Sequence, residues 1–166
     1  MRFEKVKKEC FLVDAIKNGF NIEAEVDRIF DDIIMPERKT QKSAGYDFAT
    51  PLSFGLAPNQ KKVIPTGIKA KMDKGEVLLF TVRSSVGINM GVVFSNAVAV
   101  IDADYYGNGN NDGDIMFSLW NTSNEDVYFD RGDRIAQGMF LKFGITEDDN
   151  ATGERKGGIG STGVNS

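Results

Sequence analysis

With no histidine among its 166 residues, the chain leaves any acid–base chemistry mainly to carboxylates. The stretch that concentrates them best is Asn96-Ala97-Val98-Ala99-Val100-Ile101-Asp102-Ala103-Asp104-Tyr105-Tyr106-Gly107, an apolar run that ends in two alternate acids and two aromatic rings. Strand alternation predicts Asp102 and Asp104 on one face. A hairpin ending there would offer backbone groups, a carboxylate and an aromatic ring to one small ligand. On spacing alone, the same residues serve equally well as an acidic turn.

Composition narrows the chemistry further. The missing imidazoles exclude Ser-His catalysis and histidine metal sites, and a single cysteine, Cys10, excludes a cysteine-rich structural zinc and an internal disulfide. Cys10 reads as a small buried apolar side chain. A net charge of −4 and a pI of about 4.9 argue against a protein that coats nucleic acid polymers, whose affinity comes from lysine and arginine. Arginines gathered in one cleft would still take a small anion. No apolar run reaches the roughly 18 residues of a membrane span, and the opening Met1-Arg2-Phe3-Glu4-Lys5 lacks a secretory pattern, so a soluble, cytoplasmic protein is expected.

Four further elements flank the acidic run: Ser43-Ala44-Gly45-Tyr46-Asp47, Arg83-Ser84-Ser85-Val86-Gly87, Arg131-Gly132-Asp133-Arg134-Ile135-Ala136-Gln137 and Gly157-Gly158-Ile159-Gly160-Ser161-Thr162-Gly163. In this order and spacing the five resemble the motifs of the trimeric dUTP diphosphatases (dUTPases), and the resemblance runs from about Pro36 to Val164. The helical N-terminal region and the phrase Phe143-Gly144-Ile145-Thr146-Glu147-Asp148-Asp149 look like the branch found in Gram-positive bacteria and their phages.

The resemblance implies an enzyme that hydrolyses dUTP to dUMP and pyrophosphate. Asp102 matches the carboxylate that orients water for attack on the α-phosphorus. Mg2+ is then held by the three phosphates and water, in keeping with its reluctance to dehydrate; no side chain ligates it directly, and Asp47 lies near its outer shell. Arg83, Ser84 and Ser85 face the α- and β-phosphates, with Arg83 alternatively bracing a neighbouring chain's site. Gln137 lies near the phosphates and the attacking water, while Arg134 is equally readable as a structural ion pair. Uracil is read by backbone groups from Asn96 through Ile101 to Asp102, and Tyr105 packs beneath the sugar, where a ribose 2′-hydroxyl would clash.

From the tail, Arg155 reaches the γ-phosphate, and Gly160, Ser161 and Thr162 wrap the triphosphate. One departure stands out: many members carry phenylalanine where this chain has Ile159, so the lid over uracil loses its π surface unless Phe117 or Trp120 substitutes. The family is a homotrimer whose three sites each draw on three chains. Two alternatives remain at this level. A dCTP deaminase-like enzyme shares the Arg-Ser-Ser element, but it needs a glutamate where this chain reads Ile115-Met116-Phe117-Ser118-Leu119-Trp120-Asn121. A phage-type module that binds a regulatory protein partner would use the helical region.

These residues need elements to hold them. Residues 8–34 read as helical, with Phe11, Leu12, Ala15 and Ile16 on one face, Ile22, Val26, Ile29, Phe30 and Ile33 at helix spacing, a break at Asn18-Gly19 and an end at Pro36. Beyond Tyr46, short apolar runs punctuated by turn residues predict strands at Val63–Ile64, Glu76–Val82, Val92–Phe94, Val98–Ile101, Ile115–Trp120, Val127–Phe129 and Ile135–Phe143. The expected fold is one mainly β domain over 1–166, an antiparallel jelly roll or barrel. Residues 144–166 carry six of the 18 glycines and predict a flexible C-terminal arm that orders over a ligand or a neighbouring subunit.

Overall fold

The structure, a computed structural model, describes residues 1–153. In chain order the elements are β1 (Arg2–Lys5), α1 (Lys8–Lys17), a 3-10 turn at Glu23–Glu25, α2 (Val26–Asp31), β2 (Tyr46–Ala49), β3 (Phe54–Leu56), β4 (Lys61–Pro65), β5 (Ile68–Lys71) and β6 (Glu76–Val82). A π-helical turn at Ser85–Asn89 leads to β7 (Val92–Phe94) and β8 (Ala99–Asp102). A 3-10 turn at Ala103–Tyr105 precedes β9 (Met116–Asn121), β10 (Val127–Phe129) and β11 (Arg134–Lys142).

Every pairing is antiparallel, and most join strands far apart in sequence: β1 with β5, β10 with β3, the sheet β2-β11-β6-β8, and the sheet β4-β9-β7. This bears out the mainly β expectation. The period-two pattern is visible in β9, where Phe117, Leu119 and Asn121 are buried and Met116, Ser118 and Trp120 are partly exposed.

Between the sheets lies a phenylalanine core. Phe48, Phe80 and Phe117 are fully buried. Their ring centroids lie 4.8 Å apart for Phe48 and Phe80, 5.0 Å for Phe80 and Phe117 and 5.7 Å for Phe48 and Phe117, all near edge-to-face. Truncating such a ring to alanine costs about 3–5 kcal/mol. Phe117 therefore belongs to the core and has no route to act as a lid, which corrects that expectation. Trp120 is only partly buried, with the Lys61 ammonium 4.9 Å from its ring centroid.

The N-terminal region differs from the sequence reading in three ways. β1, unanticipated, adds to β5 with Phe3 opposite Ala70. Helix occupies only 8–17 and 26–31, with Ile33 buried and Ile34 exposed in non-helical chain beyond it. Finally, α1 buries Phe11, Asp14 and Ala15, while Ile16 is 43% exposed. Phe11, Ala15, Phe20, Ile22, Ile29 and Ile33 nevertheless share one cluster with Phe48 and Phe80, so the extension is part of the barrel's core.

Among the strands, β2, β3 and β5 were also unanticipated; they are short, and β5 alternates with lysines. The segment 92–102 is not a paired hairpin: β7 lies in one sheet and β8 in the other, joined by a tight turn in which Ala97 adopts φ +62° and its N–H donates to the Phe94 carbonyl at 3.1 Å. Residues 144–153 are exposed. Among the described residues, no helix is long and apolar enough to cross a membrane.

Candidate active site

The sheet β2-β11-β6-β8 carries the candidate residues at its two ends. On β2, Asp47 stands directly opposite Gln137 of β11, which in turn faces Thr81 of β6. Directly paired residues project to the same face, so these three share one surface. Arg83 follows β6, its N–H donating to the Ile135 carbonyl at 3.1 Å.

Asp47 is the hub of this end. Its Oδ2 accepts from Arg134 at 2.8 Å, its Oδ1 lies 3.3 Å from Nε of Arg83, and only 14% of its side chain is exposed. Arg134 is thus a structural ion-pair partner, though a partly exposed one at 42%. The first and fourth motifs also touch through Gly45: a Cβ there would meet Oε1 of Gln137 at 2.8 Å, so only glycine lets the glutamine lie across it.

Ser84 and Ser85 are exposed at the entry to the π-helical turn, where the Arg83 carbonyl accepts from the N–H groups of Val86 and Gly87, both at 2.9 Å. A cavity of about 320 Å³ opens beside them, lined by Arg83, Ser85, Met90, Phe129, Asp133 and Arg134 among others. Two guanidinium groups and a serine hydroxyl line it together with the Asp133 carboxylate, both arginines being paired with Asp47 as well.

At the other end, Asp102 closes β8 and is exposed. Among the described residues β8 is an edge strand, paired with β6 alone, so one row of its N–H and C=O groups faces away from the sheet. Asn96 is exposed in the turn before β8, and Ile101 packs partly against the core. The strand stops at Asp102 and a 3-10 turn begins, so the alternation that predicted Asp102 and Asp104 on one face does not continue to Asp104. Tyr105 is buried with its hydroxyl donating to the Asp114 carbonyl at 2.8 Å, while Tyr106 is partly buried and donates to Glu4 at 2.6 Å.

Within one chain the two ends stay apart. Asp102 pairs with Val77 and Gln137 with Thr81, four residues on and on opposite sides of β6; strand geometry makes this about 13 Å along the strand and about 10 Å across it. Asp47, Arg83, Arg134 and Gln137 are brought together, and Asp102 and Tyr105 are not among them. Arg155, Ile159, Gly160, Ser161 and Thr162 lie outside the described residues. Sequence reasoning missed Thr81 and the double hold on Asp47, because nothing local marks which arginines meet across three strands.

Comparisons with known proteins identify the family. The dUTPase family profile matches residues 31–163. Deoxyuridine 5'-triphosphate nucleotidohydrolase of Lactococcus lactis is 43% identical over 134 residues, covering 80% of this chain and 89% of the relative. The Haemophilus influenzae protein of the same name is 35% identical over 144 residues, covering 82% and 91%. A crystal structure of dUTPase from Streptococcus mutans superposes with a TM-score of 0.70 at 31% identity, covering 89% of this chain and 99% of that one. The dUTPase of Staphylococcus bacteriophage 80alpha, whose structure is described as bearing on control of virulence-gene transfer, reaches a TM-score of 0.60 at 22% identity over 72% of this chain and 90% of that one, a likeness of fold alone. With the family profile spanning most of its length and relatives this similar over four fifths of it, the chain belongs to the dUTPase family.

Proposed function

We propose that the chain hydrolyses dUTP to dUMP and pyrophosphate at sites shared between copies of itself in a homotrimer. One observation carries this reading: the sheet face that bears Asp102 at one end and Asp47 and Gln137 at the other is apolar between them. Leu141, Val77 and Asp102 share a row, as do Met139, Leu79 and Val100, with Val100 53% and Leu141 46% exposed. An exposed apolar sheet face is a site for association. Packing copies about a three-fold axis would bury it and carry one chain's Asp102 to its neighbour's Asp47, Arg83 and Gln137.

In that assembly Asp102 is the general base that orients water toward the α-phosphorus, since no imidazole exists to do so. Arg83, Ser84 and Ser85 hold the α- and β-phosphates, and Gln137, fixed against Gly45, lies near the attacking water. The outer row of β8 between Asn96 and Asp102 reads uracil, and Tyr105 packs under the deoxyribose. Arg155, Gly160, Ser161 and Thr162 complete the triphosphate's enclosure, with Ile159 covering the base.

Magnesium fits this donor set only as an ion carried by the triphosphate. Both oxygens of Asp47 already face arginines, so it would meet a hydrated ion through water. Bound there, Mg2+ supplies charge neutralisation for the leaving pyrophosphate. A regulatory-partner role rests on the phage 80alpha likeness, and the burial of the helical region in the core works against its serving as a detachable module.

Pyrophosphate release from dUTP, dCTP, dTTP and UTP, with and without magnesium, tests the reading. Selective, metal-dependent release from dUTP is expected; ammonia release from dCTP, or no turnover of dUTP, refutes it.

A further inference from the structure

Between the 3-10 turn at Ala103–Tyr105 and β9, the loop 107–114 carries a buried amide. Asn111 is 4% exposed, and its side chain is fully engaged. Its Nδ2 donates to the Tyr105 hydroxyl at 3.0 Å and to the Asp114 carbonyl at 3.3 Å. Its Oδ1 accepts from Nδ2 of Asn108 at 2.9 Å and from the Gly113 N–H at 3.2 Å. The Tyr105 hydroxyl donates to the same Asp114 carbonyl at 2.8 Å, so phenol, amide and carbonyl close a triangle in which the phenol both donates and accepts. Aspartate in place of Asn111 would lack the two donors, and leucine would lack donors and acceptor alike.

The amide is itself held from both sides. Asp112 stands at φ +59°, uncommon for a residue with a side chain, and its Oδ2 accepts from the Lys7 N–H at 2.9 Å and from Nζ of Lys69 at 2.7 Å. On the far side, Oδ1 of the wholly buried Asp114 accepts from the N–H groups of Gly67 at 2.8 Å and Thr66 at 3.2 Å, in the connection between β4 and β5. Gly113 adopts φ +87°, where a Cβ would stand 2.8 Å from the Tyr105 carbonyl oxygen, and Nδ2 of Asn108 donates to that oxygen at 2.9 Å. The loop is thus folded back on Tyr105 and pinned to the N-terminal segment and to the β4–β5 connection, which leaves the Asn111 amide little room to move.

We propose that Asn111 is a positioning residue for the sugar subsite: by donating to the Tyr105 hydroxyl from this braced loop it fixes the ring beneath the deoxyribose. The inference rests on the reading of Tyr105 given above. Rejection of a 2′-hydroxyl by a ring is steric and depends on where the ring stands, so a phenol released from its amide tilts, packs less well under deoxyribose and relaxes the clash with ribose.

The test compares kcat and KM for dUTP and for UTP, by pyrophosphate release, in the full-length enzyme and in Asn111→Ala, Tyr105→Phe and the double variant. Asn111→Ala is expected to narrow the dUTP preference by about fivefold to tenfold, the effect of one buried hydrogen bond, chiefly through a higher KM for dUTP. Tyr105→Phe, which removes only the hydroxyl, is expected to narrow it similarly. The double variant should narrow it no further than either single change, because both remove the same bond.

A folded Asn111→Ala that lowers the melting temperature but keeps the wild-type preference marks a merely structural residue and overturns the proposal. So does a double variant whose losses add, since Asn111 would then act other than through the hydroxyl. If Asn111→Ala does not fold, Tyr105→Phe decides: a narrowed preference supports the proposal and an unchanged one overturns it. A wild-type enzyme that releases pyrophosphate selectively from uracil nucleotides but does not prefer dUTP over UTP would instead fail the sugar-subsite reading, and the proposal with it.

Discussion

The two ends of the sheet β2-β11-β6-β8 solve the problem of holding polar groups in different ways. At the Asp47 end the carboxylate is held by two arginines from β11 and the end of β6, and a glutamine is pressed against a glycine, so position is set by contacts within one chain. At the Asp102 end an exposed carboxylate closes an edge strand, and the turn that follows is anchored by Tyr105 on the Asp114 carbonyl and Tyr106 on Glu4. The first end suits charge that must be placed before substrate arrives. The second leaves a surface open, in keeping with the shared site proposed above.

The largest blow to that contrast is chemical. Asp102→Asn is expected to lower kcat by about 10²–10⁴-fold while KM for dUTP stays close to wild type, because only the base is lost; an equal collapse of binding in calorimetry would make Asp102 structural. Next, Val100→Asp puts a carboxylate into each copy of the apolar face. Its desolvation costs several kcal/mol per ion, so sedimentation should show monomers with little activity. A trimer that survives would place the interface elsewhere.

Gly45→Ala probes the preassembled end. The new methyl must displace Gln137, and a shift approaching 1 Å should cost about tenfold to 100-fold in kcat/KM. Unchanged kinetics would release Gln137 from its assigned role. The smallest effect lies behind the Asp102 end. The Asp114 carboxyl is raised in the fold above its ordinary 3.8, chiefly by burial, so the folded state keeps a proton that the unfolded chain has already released. That contribution is complete below the ordinary value and is lost as pH climbs toward the raised one. Urea midpoints should therefore fall as pH rises above the ordinary carboxyl value of 3.8, and less steeply in Asp114→Asn; parallel slopes would mean the carboxyl does not titrate in the fold.

The sequence made the strands legible wherever apolar alternation ran long enough, as in β6, β9 and β11, and lost them where four residues alternate with lysine, as in β5. The motifs pointed to Asp47, Arg83, Gln137 and Asp102, but helix periodicity put Ile16 on the face that Asp14 occupies. A period places residues on faces; it says nothing of an acid that is buried on the apolar one. Likewise Phe117, an aromatic that composition alone leaves available as a lid, is spent on the core.

What the sequence determined by itself was the chemistry on offer: no imidazole, one thiol, and acids and arginines at spacings that match one family. Those are properties of residue type and order, which survive unfolding. Only the tertiary structure decided that Asp102 and Gln137 lie on opposite sides of β6 and that an apolar face joins them. Register between strands distant in sequence is fixed by which side chains fill the shared core, and no local stretch of chain encodes that choice.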